Sequence, residues 1–312
     1  MHENVENGIA AASCAILGIS GVLVNGASAY LILKMKVLQT SFGYLTAFHT
    51  LSNAFLTSAF FLWVAPCIIW DFSGAFGVNR SIGQMTLVAQ CGAYLSMLLL
   101  SVNRFVCVFM PIKYTTIFAN RSTILYIILS FLASLMYGCI YFDAPCYFIF
   151  DHTSLQFTFS DTECGHVLSD YVDYWFSIVL FTIACVLDMA TLIKIQLIIR
   201  EGNTHFICTS PSRFKKDLRF FAQTICSTAL FSLTVVSFHT IALFVSGRMA
   251  KFCATTLIWG LNHSGAGFIV VAFNSDIRKA ILPLLRLRSP NSTKVTSWHP
   301  PQDRTVQLRN TQ

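Results

Sequence analysis

Charge is missing from this chain over long distances. Seven runs, 7–33, 37–70, 81–103, 122–142, 174–193, 220–247 and 252–275, hold no Asp, Glu, Lys or Arg except Asp188 in the fifth. A helix needs ~20 apolar residues to span a bilayer, and every run is at least that long. Lipid offers no partner to bare backbone groups, so spans of this kind are helical. Charged residues make up only 11% of the chain, against about 25% in a soluble domain. The pattern excludes an ordinary water-soluble core. It predicts an all-α membrane protein, a seven-transmembrane helix bundle in one domain, with no internal repeat.

Lys and Arg set the orientation. With the N-terminus outside, the outer segments hold three cations, Arg80, Arg248 and Lys251, and the inner segments hold the other 18. The acids run the other way, nine outside and four inside, with Asp188 in the membrane. The opposite orientation would invert both biases. The first eight residues, MHENVENG, are acidic and no cleavage pattern follows, so the first helix is expected to insert as its own signal-anchor. The expected layout is 1–8 outside, 9–273 as the seven-helix domain, 274–287 as an amphipathic helix on the inner surface, and 288–312 as a disordered cytoplasmic tail. The net charge of +7 then lies mainly on the cytoplasmic side. There it suits anionic lipid and an intracellular protein, and gives no reason to invoke nucleic acid.

Polar residues inside the spans need partners. Asn25, Asn53, Asp188 and Asn262 are the candidates for an intramembrane polar network, with a water-assisted Asn25–Asn53 link expected. His49 lies one turn before Asn53. Asp188 is twelve residues before Arg200, about 18 Å along a helix, which puts it mid-membrane. An acid there is a functional candidate, and the alternative is a hydrogen-bonded structural group. Pro66 is expected to kink the outer end of the second helix.

The third span closes on LLLSVNRFVCVFMPIKY, residues 98–114. Its Asn103-Arg104-Phe105, followed by Pro111 and Tyr114, resembles the Asp-Arg-Tyr signature of rhodopsin-like G-protein-coupled receptors. Gly21 and Asn25 in GVLVN are similar to an element of their first helix. The resemblance implies that these five residues near the inner face couple to a heterotrimeric G protein. Several positions depart from it. Asn53 stands where those receptors usually carry Asp, and a neutral amide cannot hold sodium as a carboxylate does. Asn79 stands where a Cys usually ties the third helix to the second outer loop. The usual Asn-Pro-x-x-Tyr falls on Ala266-Gly267 and Val270, and Gly265 and Gly267 are expected to supply the flexibility of the missing Pro.

The second outer loop, about 143–170, is the most specific stretch. Phe148, Phe150, Phe157 and Phe159 alternate with polar residues, a period of two that predicts a short β-hairpin lid. CYF at 146–148, DTECG at 161–165 and YVDYW at 171–175 resemble nematode serpentine chemoreceptors of class X, over essentially the whole chain. A Cys146–Cys164 disulfide is expected in the loop, since both residues face the oxidising side. Two free thiols are the alternative, and pairing of either with Cys67 or Cys253 would contradict the expectation.

That resemblance implies a plasma-membrane, multi-pass receptor for a small extracellular molecule. The expected ligand cavity lies under the loop, with Gln90 and Tyr94 on one helix face and His239 and Trp259 approaching from the sixth and seventh helices. With Asn103 in place of the usual acid, Arg104 is expected to pair weakly with Asp217, leaving appreciable basal activity. No phosphate loop, HExxH or Cys-x-x-Cys is present, so neither an enzyme nor a cofactor nor a metal is expected. The alternative function is a transporter or channel, although pseudo-repeats and broken helices are lacking.

Overall fold

The computed structural model describes residues 2–70, 75–143, 145–200 and 211–285, with side chains left out at a few positions, chiefly 211–221 and 282–285. Among the described residues, seven helices are long and apolar enough to cross a membrane. They are α1 (Glu3–Lys34), α2 (Ser41–Trp70), α3 (Phe76–Phe109), α4 (Asn120–Cys139), α5 (Glu163–Ile198), α6 (Ala222–Phe244) and α7 (Arg248–Phe273). An eighth, α8 (Ser275–Leu285), follows α7 at once. The expected tail, and the third inner loop from 201 to 210, lie outside the described residues.

Helices α1, α3 and α5 begin earlier than charge alone predicted. The helical backbone of α1 extends back to His2, one residue before the span counted above, so most of the expected outer segment 1–8 forms its first turns. The reason is that charge marks where a helix leaves lipid, not where its backbone bonds end. Glu3 and Glu6 meet Arg248 at 3.9 and 3.8 Å, tying those turns to the start of α7.

Four helices carry a π-helical turn in their outer part: Phe60–Val64, Leu168–Trp175, Ser237–Ile241 and Cys253–Leu257. The first sits just before Pro66, which cannot donate a backbone bond and crowds the preceding turn. For the other three no proline lies within the turn.

The hairpin forms as the alternation predicted. Strand β1 (Phe148–Asp151) pairs antiparallel with β2 (Gln156–Phe159), with Phe148 opposite Phe159 and Phe150 opposite Phe157. Phe148, Phe150, Phe157 and Leu155 are buried in the largest apolar cluster, against α1, outer α2 and α7. The hairpin is thus a plug as well as a lid. Cys146 and Cys164 are joined, with Cα atoms 5.4 Å apart, and neither alternative pairing forms.

The tie to α3 is made without sulfur. Asn79 Nδ2 donates to the Phe150 carbonyl at 2.8 Å, while its Oδ1 accepts from the Phe150 amide at 3.1 Å and from Trp63 Nε1 at 3.0 Å. One turn further in, a Cβ on Gly83 would lie 1.9 Å from the Phe148 carbonyl oxygen. Only glycine lets the strand lie on α3 so closely.

At the inner face Asn274 Oδ1 accepts from the amides of Asp276 and Ile277 and so caps α8. Ile277 is fully buried among Leu31, Ile32, Leu38 and Val270. With Ala280 and Ile281 packed beside it, Ile277 holds the helix against the bundle.

Candidate functional site

Two recesses lie along α3, one under the hairpin and one deeper. The outer one measures about 350 Å³ including its open mouth, and Gln90, Tyr94, His239 and Trp259 all line it. The four side chains expected from the sequence to share a cavity do so, roofed by Phe148 of the hairpin. Trp259 packs edge-on against Phe157, with ring centroids 4.9 Å apart, and so fixes the hairpin to α7.

Asp173, on the π-helical turn of α5, is the residue that sequence reasoning missed. It was counted among the outer acids, yet it is buried within the bundle. Its Oδ1 accepts from Gln90 Nε2 at 2.8 Å and from the Tyr137 hydroxyl at 3.4 Å. His239 Nε2 stands 3.3 Å from its Oδ2. The signal available beforehand was its place inside the apolar, aromatic YVDYW, where a solvated acid is out of keeping with its neighbours.

The deeper recess, about 300 Å³ by the same measure, is lined by His49, Asn53, Tyr94, Asn262 and His263. Here a side chain stands between Asn25 and Asn53, the two amides expected to be linked with the help of water. Asn25 Nδ2 donates to the carbonyls of Gly21 at 2.9 Å and His263 at 3.0 Å. His263 Nδ1 in turn donates to Asn53 Oδ1 at 2.6 Å, so its proton sits on Nδ1. His263 therefore stands between the two amides. The cause is the close seat of α7 on α1: a Cβ on Gly267 would lie 2.8 Å from Asn25. Gly267 serves contact, and Gly265 likewise faces Leu230. Helix α7 runs unbroken through both. His49 Nδ1 bonds the Ala93 carbonyl at 3.1 Å and Ser96 at 3.0 Å, joining α2 to α3.

Asp188 does not join this network. It accepts from Arg104 Nη2 at 2.8 Å, and both side chains are less than one-tenth exposed. Ser101 Oγ also accepts from Arg104, at 3.2 Å. The side chain of Asp217, the partner expected for Arg104, lies outside the described residues. The acid seen on Arg104 is on α5, within the bundle. The Arg104–Asp188 pair is buried and hydrogen-bonded.

Asn103 turns the other way. Its Nδ2 lies 3.4 Å from Ser41 Oγ and from the Tyr114 hydroxyl, which are themselves 2.7 Å apart. This triad fastens the start of α2 and the short helix Pro111–Ile117 to the end of α3. Phe105 stacks on Phe109, centroids 4.3 Å apart, and Pro111 opens the short helix, where its missing N–H costs nothing.

Tyr94 lines both recesses. Its ring meets Phe231 of α6 at 4.3 Å and His263 of α7 at 6.4 Å between centroids. One side chain thus touches the outer cavity, the mid-membrane polar cluster and two helices at once.

Comparison with known proteins agrees with this geometry. Squid rhodopsin, a crystal structure 15% identical, superposes with a TM-score of 0.74 over 90% of this chain and 80% of its own. Serpentine receptor class X 45 of Caenorhabditis elegans is 21% identical over 302 residues, 90% of this chain and 84% of that one. Serpentine receptor class X-43 of the same organism is 27% identical over 233 residues, 73% and 69% of the two chains. The family described as serpentine type 7TM GPCR chemoreceptor Srx matches residues 16–274. The seven-helix bundle with a plugged outer mouth and an Arg-centred inner end is therefore a multi-pass G-protein-coupled receptor fold, and the chain belongs to the Srx chemoreceptor family.

Proposed function

We propose that this receptor works at the plasma membrane, takes a small extracellular molecule into the recess under the hairpin, and activates a heterotrimeric G protein through Arg104. The observation that carries the reading is the Arg104–Asp188 pair, which lies on the helix that also lines the outer recess with Gln90 and Tyr94. In the resting state the guanidinium is held inside the bundle by α5. Ligand contact at Tyr94 bears on Phe231 of α6, and movement there frees Arg104 to meet the G protein. Asn103, Phe105, Pro111 and Tyr114 shape the inner surface around it. The inner layout of α8 as a surface helix and 288–312 as a tail belongs to the same reading.

The test is nucleotide exchange on added heterotrimeric G protein by receptor in lipid nanodiscs. Arg104→Ala is expected to abolish exchange while the receptor still reaches the cell surface. The change leaves Asp188 buried and unpaired, a cost of about 3–5 kcal/mol, so Arg104→Met with Asp188→Leu is measured beside it. Normal exchange by the well-folded double variant removes the mechanism. Solute flux in liposomes without exchange would instead favour the transporter alternative, which neither the fold nor the family supports.

A further inference from the structure

The outer recess has one carboxylate, and its setting says what the ligand must carry. Asp173 is 7% exposed, and the side chains around the recess include no Lys or Arg. Its Oδ1 is satisfied by Gln90 and Tyr137. Its Oδ2 has the His239 contact at 3.3 Å, longer than the about 2.7–2.9 Å of a charge-assisted bond. A carboxylate offers about four acceptor sites, so Oδ2 has capacity to spare. His239 neutralises it only when protonated. A buried carboxylate without a cation is costly, and a partner of opposite charge offsets that cost. The remaining walls are largely apolar and aromatic, with Leu87, Tyr94, Phe148 and Trp259 among them, beside the hydroxyls of Ser177 and Thr234. They offer aromatic faces to a cation and apolar surface to its body.

We propose that the recess binds a small protonated amine, whose ammonium bonds Asp173 Oδ2 in place of His239 while its apolar part lies against Trp259 and Phe148. The inference rests on the reading of this recess as the ligand site, and names the ligand class. An anionic ligand would set a second negative charge against Asp173, and a neutral one would bring the carboxylate no cation. Displacement also has a mechanical consequence. His239 lies on the π-helical turn of α6, with its ring 4.7 Å from that of Tyr174 on α5. Exchanging its imidazole for an ammonium releases the outer end of α6 from α5.

Full-length receptor in nanodiscs is titrated with matched compounds, and binding is read from the shift in thermal unfolding. The probes are phenethylamine and hexylamine, their alcohol counterparts 2-phenylethanol and hexanol, and the carboxylates phenylacetate and hexanoate. The amines are expected to bind at least about tenfold more tightly than the alcohols, and the carboxylates not to bind. Asp173→Asn is expected to bring the amines down to the alcohols. His239→Leu, which removes the competitor, is expected to tighten amine binding several-fold. If Asp173→Asn fails to fold, the wild-type comparison and His239→Leu decide. Amines no tighter than alcohols, absence of amine binding, or unchanged affinity in Asp173→Asn overturns the inference. Exchange on G protein, measured with the same compounds, separates the two claims. Amine binding without exchange leaves the amine site standing and counts against the receptor mechanism. Exchange driven by alcohols or carboxylates alone does the reverse.

Discussion

A single amide takes over a covalent task at position 79. Asn79 meets both backbone groups of Phe150 and the indole of Trp63, so two hydrogen bonds clamp the hairpin to α3 and a third ties α3 to α2. Asn79→Ala would strand the partners, at about 1–3 kcal/mol for a buried group left unsatisfied. The expected result is a lower unfolding temperature and faster hydrogen exchange at the Phe150 amide, with the amides of mid-α3 unchanged. Equal protection at Phe150 would show that the clamp contributes nothing. Leu155 has a different tension. It is the one non-glycine residue at positive φ among those described, +57°, yet it is completely buried. Thr256 Oγ1 holds its carbonyl at 2.9 Å, and burial of the side chain offsets the strained backbone.

The hairpin is the element on which the outer half depends. Its two strands total eight residues, too few to be stable alone, so staples and burial hold it. The Cys146–Cys164 bond spans 18 residues of sequence, and closing such a loop is worth roughly 3 kcal/mol in the chain-entropy model. Replacing both cysteines by serine is expected to lower the unfolding temperature and to loosen the strands in hydrogen exchange. Peptide mapping without reductant should give a 146–164 linkage; linkage to Cys67 or Cys253 would contradict the fold.

The hairpin turn has its own pH dependence. Partial burial pushes the Asp151 carboxyl up, but hydrogen bonds from the side chains and amides of Ser154 and Thr153 outweigh it and hold the group below its ordinary 3.8. With the folded value below the unfolded one, the carboxylate stabilises the turn above the unfolded pKa and that contribution is lost as pH falls through the folded one. Exchange protection of the Thr153 amide should therefore be flat through neutrality and fall only below about pH 4. Asp151→Asn should remove that acid step.

At the scale of the whole receptor, a buried charge pair joins α3 to α5 at Arg104 and Asp188. A buried pair resists rupture far more than an exposed one, so as the proposed resting lock it is expected to keep basal nucleotide exchange low, where an exposed pair alone would leave it appreciable. Asp188→Asn keeps the shape and removes the charge. It is expected to raise basal nucleotide exchange several-fold and to lower stability, and unchanged exchange would show that the pair is not the resting lock. Span number, the alternating hairpin and the helix after the seventh span were all legible in the chain. Each depends on local pattern: charge-free length, a period of two, an amphipathic run. The same logic found Gln90, Tyr94, His239 and Trp259 as neighbours, because spacing and depth along known helices restrict which side chains can face one cavity. Pairings between helices were another matter. That Arg104 meets Asp188, that His263 stands between Asn25 and Asn53, and that Asp173 turns inward all depend on helix rotation. That rotation is set by π-helical turns and by close contacts such as Gly83 on Phe148 and Gly267 on Asn25. A residue more or less in one turn swings every polar side chain beyond it to a new face, and that choice is made by packing across the whole bundle.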